Sequence, residues 1–290
     1  MSHGSHGHLR HHAPQPQAAD GGEERPSATR WETGRVTQFL PGWHEFREAR
    51  ETRLRSPNGY LAITGLHWLD ETPQRFEDVP GAWAQDDRGV TVTLGPDERI
   101  DLSGAALTEG THTVGDLDDE GVRASFDGGS AEVADRDGRA ILRPRRADAP
   151  HLRAYRETPC YPADPAWALP ALFVPYADGG NAPAVGEVVF AHLGREHRLV
   201  AWDNGDGSLW LLFRDATSGV TTYAANRQLV AAAPGDGGAV TLDFNRAINM
   251  PCAYTEHVTC PLPPASNTLP FPVEAGERIP VMAALEPLGA

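Results

Sequence analysis

The sequence contains no lysine, and all 25 of its basic residues are arginine. A Schiff-base lysine, a pyridoxal-phosphate anchor and the lysine of a phosphate-binding glycine-rich loop are therefore excluded. The Gly-x-Ser-x-Gly, His-Glu-x-x-His and Gly-x-Gly-x-x-Gly motifs are also absent, so the common signatures of hydrolases, zinc proteases and dinucleotide-binding domains are missing. No cofactor is expected.

Cysteine and long apolar runs are scarce as well. Three cysteines, an odd number, do not make the disulfide framework of a small secreted protein, so we expect mostly reduced thiols. No run of about 18 apolar residues is present, and the first residues, Met1 to His12, are polar. These features predict a cytoplasmic protein.

Basic residues are fewer than acidic ones. Forty acidic residues against 25 basic ones give a net charge of −15. A surface of that sign repels phosphate backbones and anionic lipid head groups. Nucleic acid and membranes are therefore not expected as partners.

The 290 residues divide by composition into three segments. Residues 1–34 are rich in histidine and proline and poor in apolar groups, which predicts a disordered tail. Residues 35–147 are expected to form an N-terminal helix and a small β subdomain, and residues 148–285 a larger antiparallel β domain that carries the site. The boundary is set near Pro144 to Pro150, where a run of arginines interrupts the apolar pattern.

The apolar pattern predicts a mainly β protein with one helix. The spacing of apolar residues between Pro41 and Arg55 favours a helix, with Pro41 in its first turn. After it, short apolar runs alternate with turn sequences such as Asn204-Gly-Asp-Gly207 and Gly194-Arg195, as in successive hairpins. We expect an antiparallel β-barrel or sandwich core with an N-terminal helix and a smaller β subdomain.

The segment from Asp243 to Tyr254, together with the following stretch to Asn267, is unusually rich in reactive groups. It interleaves a carboxylate, amides, an arginine, a phenol and two thiols with prolines, which fix the backbone without a helix or strand. This composition predicts one wall of a preorganised pocket.

A second wall is predicted in the hairpin that precedes this segment. Arg227 has the planar shape that clamps a carboxylate or phosphate, and Asp215 and Tyr223 lie shortly before it. Two alternatives stay open. Asp215 is typical of a turn residue that bonds nearby backbone amides, and Arg227 could form an internal ion pair with Asp215 or Asp243.

Two further motifs have competing interpretations. Cys252, His257 and Cys260 are soft ligands within nine residues, but tight Cys-x2-Cys spacing and a fourth ligand are missing, so structural thiols or a disulfide are favoured over zinc. Glu277, paired with Glu274, and His67 are candidate acids or bases, for which a charged turn and a structural histidine are the simpler explanations.

Taken together, these residues resemble a known family. The motif runs through Phe213-x-Asp215-x-Thr217-Ser-Gly219-x-x-Thr222-Tyr223-x-x-x-Arg227, Asp243-Phe-Asn-Arg-Ala247, Asn249, Pro251-Cys-Ala253, Cys260-Pro-Leu-Pro-Pro264, Asn267 and Ala275-Gly-Glu277. It is similar to the family named domain of unknown function 1684, and the resemblance extends less sharply upstream to Trp43. Gln228 and Ile248 stand where the family pattern leads us to expect tyrosine. The resemblance implies a residue set but no reaction.

The sequence thus predicts a small-molecule enzyme, hydrolytic or isomerising, that acts on a polar, anionic metabolite in a β-domain pocket. A ligand-binding β module without catalysis and a structural domain without a pocket are the alternatives. The expected partners are a small molecule and, as a further option, a second copy of the chain; no metal is expected. The residues proposed for catalysis are Asp243, Glu277, Tyr223 and His67. Those proposed for substrate binding are Arg227, Asp215, Asn245, Asn249, Tyr254 and Asn267, with Cys252 and Cys260 as structural thiols.

Overall fold

The computed structural model describes residues 30–115, 117–118, 120–177 and 183–284, with side chains from residue 39 onward. The predicted disordered tail lies outside the described residues as far as residue 29. The fold is mainly β, because strands far outnumber helices among the described residues, and its antiparallel sheets include a half-barrel. The predicted fold class is confirmed.

The N-terminal helix, α1 (Arg30–Leu54), is longer than the sequence predicted. Pro41 does not start it but lies inside it. A proline removes one backbone donor and usually ends a helix. Here partners outside the helix stabilise the turns that follow: Gly42 O accepts a hydrogen bond from Arg246 Nη2 at 3.3 Å, and Trp43 Nε1 donates to Asn245 O at 3.2 Å.

Two antiparallel sheets follow the helix. Their strands are β1 (His67–Trp68), β2 (Gln74–Phe76), β3 (Val79–Asp86), β4 (Gly89–Leu94), β5 (Ile100–Leu102), β6 (Ala105–Leu107), β7 (Gly110–Gly115), β8 (Val122–Phe126), β9 (Gly129–Arg136) and β10 (Arg139–Arg146). The first sheet has the order β1-β10-β9-β8-β5-β6 and the second β2-β3-β4-β7. Alternate residues of β4 and of the first part of β3 are buried, as period-2 patterning requires, and with buried residues of β9 they pack around Trp83 and Val133.

A short helix, α2 (Pro150–Ala154), leads into the larger sheet. The remaining strands are β11 (Tyr155–Glu157), β12 (Ala168–Pro175), β13 (Ala184–His192), β14 (Arg195–Asp203), β15 (Leu209–Phe213), β16 (Arg227–Ala231), β17 (Ala239–Asp243), β18 (Ile248–Asn249) and β19 (Val281–Met282). Seven of them form one antiparallel sheet in the order β17-β12-β13-β14-β15-β16-β18, while β11 pairs with β19. The turn between β13 and β14 places Leu193 and Gly194 at positive φ, the geometry of a tight hairpin.

The inner face of the seven-stranded sheet holds the largest core. Phe213, Leu229 and Phe244 are fully buried there, and each contributes about 1.5–3 kcal/mol relative to an exposed side chain. The chain then crosses this sheet as an irregular strap, residues 250–280, broken by short 3₁₀ segments at Pro251–Ala253 and Ala265–Asn267. We refer to residues 250–280 as the strap.

None of the described helices combines the length and apolar character needed to span a bilayer. The predicted domain boundaries at residues 34, 147 and 285 stay predictions.

Candidate functional site

Arg227 and Asp215 form a buried ion pair beneath the strap. Arg227 Nη2 lies 2.8 Å from Asp215 Oδ2 and 3.0 Å from Val273 O, and Nη1 donates to Ala275 O. Asp215 Oδ1 accepts hydrogen bonds from the amide and hydroxyl of Thr217 and from Val273 N. Both side chains are about 1% exposed or less. Of the two interpretations of Arg227, the internal ion pair is the one that this structure contains.

Burial changes the pKa of this arginine. Desolvation lowers the pKa of Arg227 and outweighs the opposing effect of Asp215. The predicted anion clamp requires an exposed guanidinium, and neither Arg227 nor Asp215 lines any described cavity. In this structure the pair ties β16 to the strap instead of facing a ligand.

Glu277 is the centre of a second buried network, between the strap and α1. Its carboxylate accepts hydrogen bonds from Arg47 Nη1 at 2.7 Å, Arg50 Nε at 3.1 Å, Asn249 N at 2.7 Å and Tyr254 OH at 3.1 Å. Burial opposes ionisation, but Arg50 and these hydrogen bonds outweigh it, so the pKa of Glu277 lies below its usual value. A carboxylate held in its charged form by four donors is not arranged for acid catalysis.

The predicted binding residues Asn249 and Tyr254 belong to this same network. Asn249 Nδ2 donates to Arg278 O at 2.8 Å, while its backbone oxygen accepts from Arg50 Nη2 at 3.0 Å. Burial raises the pKa of the Tyr254 phenol, and the charge of Glu277 adds to this effect. Asn249 thus joins β18 to the strap through its side chain and to α1 through its backbone oxygen, while Tyr254 joins the strap to α1 through Arg50.

Asp243 and Asn245 stabilise the turn that follows β17. Asp243 Oδ1 caps the 3₁₀ segment Phe244–Arg246 by accepting from Asn245 N at 3.2 Å, and its Oδ2 lies 3.2 Å from Arg246 Nε. Asn245 exchanges two hydrogen bonds with the backbone of Asp164, each 2.9 Å long. Asp243 therefore acts as a cap, which is a turn role rather than an acid–base one.

Asn267 connects the strap to two strands of the large sheet. Its Oδ1 accepts from Val200 N at 2.8 Å, and its Nδ2 donates to Val200 O and Leu212 O at 3.0 and 2.8 Å. The side chain is fully buried. It satisfies backbone groups that the strap would otherwise leave unpaired.

The predicted thiols are free and lie beside Tyr223. Cys252 N donates to Cys260 Sγ at 3.3 Å, and Tyr223 OH donates to Cys252 O at 2.8 Å. The hydrogen bond from Cys260 lowers the pKa of the Cys252 thiol to about 6, although burial opposes this shift. Burial raises the pKa of Tyr223 to about 12, so its phenol stays protonated. A disulfide, the other option for the cysteines, is not formed.

His67 is separate from all of these groups. It lies on β1, stacks on Phe76 with ring centroids 4.0 Å apart, and its Nε2 is 3.6 Å from Asp78 Oδ1. The structure therefore distributes the four predicted catalytic residues over four places and brings none of them into a common open pocket.

An open cleft does exist, between α1 and the outer face of the large sheet. Its volume is about 670 Å³. Gln228 and Val230 of β16 face it, whereas the alternate residues Arg227, Leu229 and Ala231 are buried on the other face. The other polar residues of the cleft are Arg50, Arg53, Ser56, Asn58, Tyr60 and Arg246, and the other apolar or small ones are Phe46, Gly59 and Ile248.

Three arginines and no carboxylate line the cleft, and two of the three, Arg50 and Arg246, pair with carboxylates that lie outside its lining. Arg50 uses Nε and Nη2 for the Glu277 network, and no described residue accepts a hydrogen bond from its Nη1. Arg53 makes no ion pair with any described residue. Arg246 pairs with Asp243 and lies over the ring of Phe46, 5.1 Å from its centroid.

The two amides of the cleft are also oriented as donors. Gln228 Oε1 accepts a hydrogen bond from Trp210 Nε1 at 2.7 Å, and Asn58 Oδ1 accepts from Arg123 Nη1 at 2.9 Å. Each oxygen accepts one hydrogen bond, whereas neither amide nitrogen has a partner among the described residues, so the nitrogens are available to a ligand. Guanidinium and amide N–H groups pointing at one space are suited to an anion.

Sequence reasoning missed the cleft, although one signal was present. Arg47, Arg50 and Arg53 repeat every three residues along α1, which places them along one side of a helix. The contribution of Arg246 and Gln228 could not be read in the same way, because they approach α1 only through tertiary packing.

A larger cavity of about 870 Å³ lies in the smaller β region, lined by residues of both charges, including Arg75, Asp78, Glu98 and Asp127. Arg75 and Glu98 neutralise each other there, with Nη1 and Oε1 2.7 Å apart. This cavity therefore lacks a consistent charge preference.

Comparison with known proteins assigns the strap and the large sheet to a family. Residues 153–278 match the sequence model of a family described as protein of unknown function (DUF1684). The match covers less than half of the chain, and over this segment the chain is similar to DUF1684. The match confirms the resemblance predicted from the sequence, and it contains the Arg227–Asp215 pair, the Glu277 carboxylate and the β16 side of the cleft.

Among solved structures, the chain is similar to the solution NMR structure of an uncharacterized protein of Haloarcula marismortui. The two are 29% identical over 42% of this chain and 75% of the other, with a TM-score of 0.37. No curated protein matches the chain.

Proposed function

We propose that this protein binds a small anionic molecule in the cleft between α1 and β16. The observation that carries the proposal is that the arginine and amide groups directed at the cleft are all hydrogen-bond donors, in a chain whose net charge is −15. An acidic protein that concentrates arginines without carboxylates at one concave surface selects for negative charge there.

The remaining lining suggests the rest of the ligand. Phe46, Tyr60, Val230 and Ile248 provide an apolar surface, and the side chains of Tyr60 and Val230 are well exposed. Exposed aromatic and branched side chains beside arginines suit a carboxylate or phosphate attached to an apolar body. The ligand class is therefore an organic anion with an apolar part, rather than a bare inorganic ion.

Binding is favoured over the hydrolytic or isomerising activity expected from the sequence. General acid–base catalysis needs a histidine or carboxyl group within hydrogen-bond reach of the reacting atom. The described lining contains neither, and Asp243 and Glu277 are committed to a turn and to an ion network. If no anion binds, the remaining alternative is a structural domain without a binding function.

The test uses phenyl phosphate and benzoate as probes, with the neutral benzamide as the uncharged control, and measures the melting temperature and the binding isotherm. We expect the two anions to stabilise the protein and benzamide to have no effect. Stabilisation by benzamide equal to that by benzoate would contradict the proposal.

Three substitutions localise the binding. Arg53→Gln removes one charge-assisted donor and is expected to weaken binding about 10-fold or more. Gln228→Glu keeps the oxygen that Trp210 bonds but places a negative charge in the cleft, so binding should be lost while the fold is retained. Arg195→Gln, at the distant β13–β14 turn, is the matched control and should bind like the unaltered protein. Equal affinity in all variants would show that the anion binds elsewhere.

The compartment and the partners follow as part of the same proposal. Three free thiols support a cytoplasmic location. A homodimer, and the absence of nucleic-acid and membrane partners, stay predictions.

A further inference from the structure

Three metal-ligating side chains converge at a place that the cleft does not use. They are His151 on α2 and the neighbouring Glu256 and His257 on the strap, and their donor atoms all lie within 4.8 Å of one another. His151 Nε2 is 3.0 Å from Glu256 Oε2, and His257 Nε2 is 3.8 Å from Glu256 Oε1. The two imidazole rings meet edge to face, with centroids 5.8 Å apart.

Residues next to these three side chains are packed in the protein interior. Tyr254, two residues before Glu256, belongs to a buried cluster with Leu54 and Leu61, and the partly buried Leu152, next to His151, packs against that cluster. His257 N also donates to Thr255 Oγ1 at 3.2 Å, which fixes the turn that presents the imidazole. The relative positions of the two histidines are therefore set by packing, while Glu256, 70% exposed, is free to adjust.

From this arrangement we infer that His151, Glu256 and His257 bind a single divalent transition-metal ion of the Zn²⁺ type. Metal–ligand bonds of about 2.0–2.2 Å place tetrahedral donors roughly 3.3–3.5 Å apart. The separation from His151 to Oε2 of Glu256 is shorter than this range and that from His257 to Oε1 is longer, so a small movement of the exposed carboxylate brings the donors to it. Two imidazoles and one carboxylate form a donor set that Zn²⁺ accepts with a fourth position left for water.

An ion pair between Glu256 and His151 would not by itself explain the position of His257. A single carboxylate balances one imidazolium, whereas here a second imidazole nitrogen approaches the same carboxylate.

This site differs from the zinc set considered from the sequence. That set joined His257 to Cys252 and Cys260, but in the structure Cys260 Sγ accepts a hydrogen bond from Cys252 N. The donors that meet His257 come instead from α2 and from Glu256. The spacing along the chain could not reveal His151, which is about one hundred positions earlier.

The test is a titration of the full chain with Co²⁺, followed by its visible absorption, and then with Zn²⁺ in competition. Both arms use a background in which the histidines of the first twelve residues are replaced by alanine, so that they contribute no binding: His3, His6, His8, His11 and His12. We expect one equivalent of Co²⁺ to bind and Zn²⁺ to displace it.

Two variants and one control decide the donors. Glu256→Gln and His257→Gln are each expected to weaken Co²⁺ binding by at least about 10-fold, since even outer partners of a metal site cost about 10–100-fold. His112→Gln, a histidine of β7 outside the cluster, should bind normally. Because Glu256 is exposed, its variant reports on binding even if the His257 variant folds poorly.

Three results would overturn the inference. They are no saturable Co²⁺ binding in the substituted background, equal affinity in Glu256→Gln and the unaltered background, and a thiolate-to-cobalt charge-transfer band, which would assign the metal to cysteine.

Discussion

Among single isosteric substitutions, Glu277→Gln is expected to cause one of the largest losses in the free energy of unfolding. The substitution keeps the size of the side chain and one acceptor oxygen but removes the charge that Arg47 and Arg50 share. Arg50 is about 4% exposed and Glu277 about 1%, so water cannot replace the lost partner.

The expected loss is about 3–5 kcal/mol, the usual cost of removing one partner of a buried ion pair. A further consequence follows from the four donors around the carboxylate. A glutamine offers one acceptor oxygen and one NH₂ group, which is itself a donor. At least one of the present donors to Glu277 would therefore face this NH₂ group; they are the side chains of Arg47, Arg50 and Tyr254 and the backbone amide of Asn249.

Urea denaturation between pH 3.5 and pH 8 measures the effect. The folded-state pKa of Glu277 lies below its ordinary value of 4.5. Its contribution to the free energy of unfolding is therefore complete above about pH 4.5 and is lost as the pH falls towards the folded-state pKa. The glutamine variant should lose less stability on acidification than the unaltered protein.

The matched control is Glu196→Gln, which removes one of the two carboxylate partners of Arg198, at a pair whose side chains are 52% and 60% exposed. Its expected cost is below about 1 kcal/mol. If Glu277→Gln cost no more than this control, or if the two proteins lost stability in parallel on acidification, the reasoning about the buried network would be refuted.

Three further outcomes are expected. Asp215→Asn should lower the free energy of unfolding by about 3–5 kcal/mol, measured by urea denaturation, because it leaves the buried Arg227 without its counter-charge. Asn267→Ala should cost about 1–3 kcal/mol or more in the same assay, because three backbone groups lose their partner. Cys252, with a pKa of about 6, should react with iodoacetamide at pH 7 much faster than Cys160, whose pKa burial raises to about 12; peptide mapping would contradict this if both labelled equally.

The strands were readable from the sequence because their signals are local. The Gly194 turn needs positive φ, and the alternation of buried and exposed residues along β16 needs only neighbouring positions. The start of α1 was not readable, because the hydrogen bonds that support the helix around Pro41 come from Asn245 and Arg246, about two hundred residues away.

At the candidate site, too, the residues could be identified from the sequence but their tertiary partners could not. The sequence identified Arg227, Asp215 and Glu277 as a related set, and the structure places each in a buried network. It could not show which partners they choose, since a guanidinium that faces a ligand and one that faces a carboxylate have the same sequence context. Arg53 was overlooked because exposed arginines along one side of a helix are ordinary until the opposing strand is known.

The link between Arg47 and Glu277 spans 230 residues of sequence. At a synthesis rate of about 5–20 residues per second, roughly ten to fifty seconds pass between the emergence of Arg47 from the ribosome and that of Glu277. The arginines of α1 would stay hydrated over that interval. Formation of this ion network would therefore be a late event in folding, and a chaperone that shields α1 would have a defined time in which to act.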